Sequence, residues 1–467
     1  MEDDFDFGFT EDPKFSVERY EEMIRNKDQY FFDSQAFEGI IDFYIERNDP
    51  IKALQVVDYA VSQHPYVAAF FLKQAQLLTV ISKTEQAFEA LDKAQSLEPS
   101  EVEIYLIRGG ILSTLGRFDE AMAELEKALA LSENETDVLM QISMMLQSKG
   151  DFEGAIVHLK RCLEENMENQ DALYELAFCY DVLERQEESI GFYLQYIDSD
   201  PYSYAAWYNL GNAYHKLERY EEAIDAYDYA ILIKEDFASA YFNKGNALVN
   251  IDKFEDAIKI YKETFEFEPP SADTYCAIGE CYEKLELMEE ARHYYKKAVK
   301  LDRKLSDAWF GIGVTLDSDG RFFESLHYYK KALDLDDNNP DYWFATADAR
   351  YKLGHFPEAM QAYQQVVKLN PLDVEAWLDY SSIVYEQNLL DEAMKIITQA
   401  IDYNPDAAEL HYRMVAYFFA SGSYNEALNY LDRALSLDTE KRHILFEYLP
   451  QLQDNKLITE IIKKYIG

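Results

Sequence analysis

The stretch Trp207–Ile233, WYNLGNAYHKLERYEEAIDAYDYAILI, returns in altered form 34 residues later as Tyr241–Phe267, YFNKGNALVNIDKFEDAIKIYKETFEF. Further steps of 34 land on Tyr275, Trp309, Trp343, Trp377 and His411. Backward steps land on Leu173, Leu139, Tyr105, Phe71 and Phe37. No insertion breaks the register, so twelve units tile residues 34–441. A fixed period of this length marks a solenoid, in which each unit packs only on its neighbours.

Two columns of small residues run through the units. One holds Ala53, Ala87, Ala121, Ala155, Ser189, Ala223, Ala257, Ala291, Ser325, Ala359, Ala393 and Ala427. Small side chains at a fixed place let two helices approach closely. The column twelve residues earlier is also mostly small, with Gly211, Gly245, Gly279 and Gly313 at its centre, and it departs at Ile41 and Val415. Terminal units of a repeat array are expected to be atypical.

Each unit reads as two helices. Trp207, Leu210, Gly211 and Tyr214 mark one face of the first, and Ala223, Tyr227 and Ala230 one face of the second. The turn between them falls near Glu218; other units place Gly116, Gly150, Gly320, Gly354, Gly422, Asn48 or Asn388 there. Gly and Asn tolerate the left-handed backbone that closes a helix. Pro65, Pro99, Pro201, Pro269, Pro371 and Pro405 follow second helices, since proline cannot continue one.

This pattern resembles the tetratricopeptide repeat family, because period, small columns, aromatic columns and prolines agree in register. The resemblance implies an all-α fold: a right-handed superhelical α-solenoid of helix-turn-helix units with a concave groove lined by the first helices. It also implies a role in protein or peptide binding. A fold does not name its partner.

The composition narrows that partner. There are 88 acidic and 44 basic residues, a net charge of −44, which repels nucleic-acid phosphates and anionic membranes. The acid either attracts a basic protein segment or keeps a chain of 37 Tyr and 28 Phe soluble. The four cysteines, Cys162, Cys179, Cys276 and Cys281, make no disulfide framework. The N-terminal residues lack the basic and apolar regions of a signal peptide, and no apolar run is long enough to span a membrane. A cytoplasmic protein is the expectation.

The segments outside the repeat differ in kind. Residues 1–33 carry eleven acidic and four basic residues, with Phe5, Phe7 and Phe9 among the acids. They read as an acidic, aromatic segment with a capping helix from Ser16, or as a peptide that docks in a groove. Residues 442–467 read as C-terminal capping helices, one in HILFEYL and one in KLITEIIKKYI, where Leu457, Ile458, Ile461, Ile462 and Tyr465 are the apolar positions. An open solenoid end must be covered.

In the family, the second, fifth, sixth, ninth, twelfth and thirteenth places of each unit face the groove. Carried over by register, the fifth place supplies Tyr174, Tyr208, Phe242, Phe310 and Phe344, a stripe that either binds a partner or packs on the next repeat. Asn209 with Asn212, and Asn243 with Asn246, look like two rungs of an asparagine ladder for an extended peptide backbone. His215 sits beside the first rung. The family's two-carboxylate clamp does not fit, since Tyr208, Asp273 and Ala277 stand where it needs cations. Acid occurs instead, at Asp181, Glu280, Glu283, Asp317 and Asp348. The second-place acids, such as Asp307 and Asp341, are explained by the free amides of a helix start.

No catalytic or metal signature stands out. The eight histidines form no ligand pair, no phosphate-binding GxxxxGK[ST] run occurs, and Gly311 with Gly313 lies inside a first helix rather than after a strand. The expectation is therefore a non-catalytic protein–protein interaction scaffold without cofactor or metal. It would bind a peptide or protein carrying basic and apolar residues in an aromatic, acidic groove. The alternatives are a regulatory or carrier subunit of an enzyme complex, and a self-associating structural protein.

Overall fold

The structure, a computed structural model, describes residues 13–453 and 456–466; Phe5, Phe7 and Phe9 lie outside the described residues. The chain divides into two compact units, residues 1–235 and 236–467. Among the described residues there are 27 α-helices and no strand, so the fold is an all-α solenoid of helix pairs. First helices begin at Ser34, Ala68, Val102, Thr136, Gln170 and Tyr204 in one unit, and at Ala238, Ala272, Ser306, Pro340, Val374 and Ala408 in the other. Second helices begin sixteen residues after each of these, from Pro50 to Tyr424.

Local chemistry sets those starts and stops. Asp33, Ser203 and Asp373 accept hydrogen bonds from the backbone amides of Ala36, Ala206 and Ala376, which capping requires. Between the two helices of every pair one residue adopts positive φ, including Gly116 at 72° and Gly320 at 74°. Ser82, Glu184, Glu218, Asp252 and Glu286 hold the same left-handed conformation with full side chains. One second helix is short: Phe254–Glu263 gives way to a 3-10 turn at Thr264–Glu266 ahead of Pro269 and Pro270.

Packing follows the columns. The alanine column is buried throughout, and Ser189 and Ser325 are buried with it. The glycine column faces a second column that is aromatic. A Cβ on Gly211, Gly245, Gly279 or Gly313 would lie 2.5, 2.3, 2.8 or 2.4 Å from the ring of Tyr227, Tyr261, Tyr295 or Tyr329. Those glycines are therefore present because the tyrosine rings press on the helix backbone. The fourth-place tryptophans pin the turn entering their pairs: Trp207 donates to Pro201 O at 3.0 Å, Trp309 to Arg303 O at 3.0 Å and Trp377 to Pro371 O at 2.9 Å.

Both ends of the array carry packed helices. The N-terminal helix runs Pro13–Asn26, starting before Ser16, and buries Val17, Tyr20 and Met23 against Phe37, Ile40, Ile41 and Tyr44. At the other end, His443–Tyr448 and Lys456–Ile466 bury Leu445, Ile458 and Ile462 against Tyr412, Val415, Leu431 and Leu435. Tyr448 reaches further back. Its ring lies 3.7 Å from the guanidinium of Arg413, and its hydroxyl bonds to Ser382. Arg413 is buried, held by Leu378 O at 3.0 Å and by Ser382 Oγ.

Candidate functional site

The candidate residues fall on first helices in both units. In the first unit these are Tyr174, Tyr208, Asn209, Asn212 and His215. In the second they are Phe242, Asn243, Asn246, Glu280, Glu283, Phe310, Asp317, Phe344 and Asp348. Places five, nine and twelve stand four and three residues apart, so they share one helix face. In the second unit the first helices Ser306–Ser318 and Pro340–Lys352 present that face side by side: Lys352 pairs with Asp348 at 2.7 Å on its own helix and with Asp317 at 3.0 Å on the preceding first helix.

The aromatic stripe is half-buried at Tyr174, Tyr208, Phe242, Phe310 and Phe344. Each ring has a neighbour. Tyr174 meets Tyr208 at 6.4 Å, Phe242 meets Tyr261 at 5.5 Å, and Phe310 meets Tyr329 at 5.5 Å and Tyr342 at 4.7 Å. Cys276, at the same place of its pair, is buried. The stripe thus combines packing with partial exposure, where sequence alone left a choice between the two.

The asparagine rungs differ from the expectation. Asn209 is buried, and its amide donates to Leu173 O at 3.3 Å in the pair before, so it is a packing residue and not a surface rung. Asn212 and Asn246 are half-buried and accept from the hydroxyls of Tyr227 at 2.9 Å and Tyr261 at 2.6 Å. Asn243 is half-buried. His215 sits against Tyr220 at 5.3 Å, and burial lowers its pKa.

The tyrosine hydroxyls also explain some of the acid. In later pairs the column tyrosines turn from the ninth place to the twelfth: Tyr295 donates to Glu283 at 2.8 Å and Tyr329 to Asp317 at 3.3 Å. Asp181 pairs with Lys216 at 2.8 Å. The net charge of this face is therefore lower than its carboxylate count. Glu280 stands apart. Its side chain reaches solvent, yet its carboxyl is crowded; lost hydration first, then Asp307, push its pKa up, against a 3.5 Å bond from the Cys276 thiol. Lost hydration, then Glu280, likewise push up Glu283.

The sequence carried a signal for the hydroxyl network that residue-by-residue reading missed. Tyr193, Tyr227, Tyr261, Tyr295, Tyr329 and Tyr363 recur at 34 and are all buried. A buried phenol needs an acceptor, and for Tyr227, Tyr261, Tyr295 and Tyr329 the ninth or twelfth place supplies it. Tyr193 uses Leu173 O at 2.9 Å. Arg413, buried beneath Tyr448, had no comparable signal, because the ring that covers it lies outside the repeat.

The cysteines are unsuited to nucleophilic work. All four are buried and free, and burial pushes the Cys179 thiol up to about 11 and the Cys281 thiol up to about 12. Among the described residues no His, Cys, Asp and Glu group is arranged to hold a metal ion, and no helix is long and apolar enough to cross a membrane.

Models of the tetratricopeptide repeat match residues 102–135, 204–237, 238–270, 272–305, 306–339 and 344–400. All but the last begin on the first residue of a helix pair. The chain belongs to the tetratricopeptide repeat family. This tetratricopeptide repeat protein is also similar to solved structures. One is YrrB, a TPR protein with an unusual peptide-binding site, at 19% identity over 42% of this chain and 98% of that one, with a TM-score of 0.34. Another is the APC/C hetero-tetramer Cut9–Hcn1, at 13% identity over 90% and 92%, with a TM-score of 0.43. A third is MamA, at 30% identity over 37% and 94%, with a TM-score of 0.32. No curated protein matches the chain.

Proposed function

We propose that this tetratricopeptide repeat protein is a non-catalytic scaffold that holds a protein segment carrying basic and apolar side chains against the fifth-, ninth- and twelfth-place face of its first helices. Family membership supports the scaffold. The observation that carries the finer reading lies in the second unit. There, half-buried Phe310 and Phe344 share their helix faces with Asp317 and Asp348, while Glu280 and Glu283 stand on the preceding first helix with raised pKa values. Carboxyls held in crowded surroundings gain by meeting a cation, and rings with one open side gain by meeting an apolar residue.

A labelled peptide of alternating Lys and Leu, titrated by fluorescence anisotropy, tests this. The Phe310→Ala/Phe344→Ala variant should weaken binding about tenfold, which is about 1.4 kcal/mol. Raising salt from 50 to 500 mM should weaken it further, since part of the attraction is screened charge. Binding that ignores both changes would place the partner elsewhere on the molecule.

A further inference from the structure

The tenth helix pair breaks one pattern that all the other pairs keep and a second that the other three tryptophan-bearing pairs keep. The eleventh place of the first helix is apolar in eleven pairs, as in Leu78, Tyr214, Leu248 and Leu316, but it is Arg350 in this one. The fourth-place tryptophan is also uncovered. Trp207 stacks on Tyr229 with centroids 4.3 Å apart, Trp309 on Tyr328 at 6.0 Å and Trp377 on Tyr403 at 6.2 Å. The places of those three tyrosines are Gln365, Ala362 and Leu369 in the tenth pair. Among the described residues no ring stacks on Trp343, and a cavity of about 700 Å³ opens between the helices Phe322–Leu335 and Pro340–Lys352.

The cavity is polarised. The two helices are consecutive and packed, so they run antiparallel. Arg350 and His355 therefore stand beside Phe323 and His327, with Lys330 next along the helix. Asp334 and Asp337 stand at the other end, where Trp343 donates to Asp337 O at 2.9 Å. Arg350 is half-buried and bonds the Glu358 carbonyl through Nη1 at 3.1 Å. Neither Arg350 nor Lys330 has a carboxylate partner among the described residues, whereas Arg292 and Arg321 each hold one. Phe323 is 77% exposed at the rim.

We infer that this cavity is a second binding site, for a protein segment in which an acidic side chain lies about three residues from an apolar or aromatic one. The guanidinium of Arg350 takes the carboxylate, because its fork is only partly used and Asp334 and Asp337 stand at the far end of the cavity. Trp343 takes the apolar anchor. Arg350 and Trp343 are seven residues apart on one helix, about 10 Å, which about three extended residues span. The site lies on a different face from the proposed basic-segment surface, since Trp343 and Arg350 occupy places four and eleven, whereas Phe344 and Asp348 occupy five and nine. Its ligand has the opposite charge.

The test uses the full chain and a labelled eight-residue peptide with Glu three residues after Phe, beside a control with Lys in place of Glu. Arg350→Leu is the informative variant, because leucine fills that place in other pairs and the helix keeps its packing. The acidic peptide should bind the native chain, the Lys control should bind at least tenfold more weakly, and Arg350→Leu should lose at least tenfold with helicity unchanged. Phe310→Ala/Phe344→Ala should leave this binding as it was, and an alternating Lys-Leu peptide should not displace the acidic one. No binding to the native chain, equal binding of both peptides, or full binding to Arg350→Leu would each overturn the inference. Loss of both peptides' binding in the Phe310/Phe344 variant would do so too.

Discussion

Gly245 and Gly191 look alike in sequence, and the structure separates them. A Cβ at Gly245 would meet the Tyr261 ring at 2.3 Å, whereas at Gly191 it would meet nothing within 4 Å. Gly245→Ala should therefore cost about 1–3 kcal/mol through overpacking, more than the helix propensity it gains. Gly191→Ala should stabilise by about 1 kcal/mol. Thermal melts of the two variants check the opposite signs. Asp379 offers a second residue-level prediction. Burial first, then Glu375, raise its pKa to about 6, despite the opposing effect of Arg413. A carboxyl whose folded pKa is raised loses stability as pH climbs from its unfolded value through the folded one. Asp379→Asn should thus raise the melting temperature at pH 7.5, and the gain should vanish near pH 4. The small column was legible in the sequence, but the ring that enforces it was not, since the period gives the place of a residue and not the reach of its neighbour. Asn209 failed for the same reason: its place faces the groove in the family, yet here its amide is drawn to Leu173 O.

At the scale of helices and turns, the register was almost wholly legible. First and second helices begin at one spacing throughout because caps, positive-φ turns and following prolines recur together. What the sequence did not reveal is that Glu218 and Glu286 adopt the left-handed backbone that Gly320 adopts, at φ of 58° and 60°. A full side chain there costs roughly 1 kcal/mol. Glu286→Gly should therefore be neutral or stabilising, while Gly320→Ala should destabilise by about 1 kcal/mol; urea denaturation compares them. The C-terminal segment was legible as capping helices but not as the cover of Arg413. Removing residues 443–467 exposes Leu431, Leu435, Val415 and the guanidinium together. Amide exchange in Ala408–Ser421 and Tyr424–Leu437 should then speed up at least tenfold, with little change in distant pairs, because a repeat array transmits stability mainly between neighbours.

Over the whole molecule, the tyrosine column ties stability to alkaline pH. Tyr193, Tyr261, Tyr295, Tyr329 and Tyr363 all have pKa values raised above the ordinary 10 by burial. Their contribution is complete below pH 10 and is lost as pH rises further, when the unfolded chain ionises and the folded one does not. Circular dichroism should show a steep, multi-proton unfolding beginning near pH 10. Hydrogen–deuterium exchange with a saturating Lys-Leu peptide reads most directly whether the first helices are the binding face. Exchange should slow in Ala272–Lys284, Ser306–Ser318 and Pro340–Lys352, and the protection should be lost in the Phe310→Ala/Phe344→Ala variant. Protection confined to second helices, or unchanged in that variant, would contradict a first-helix binding face.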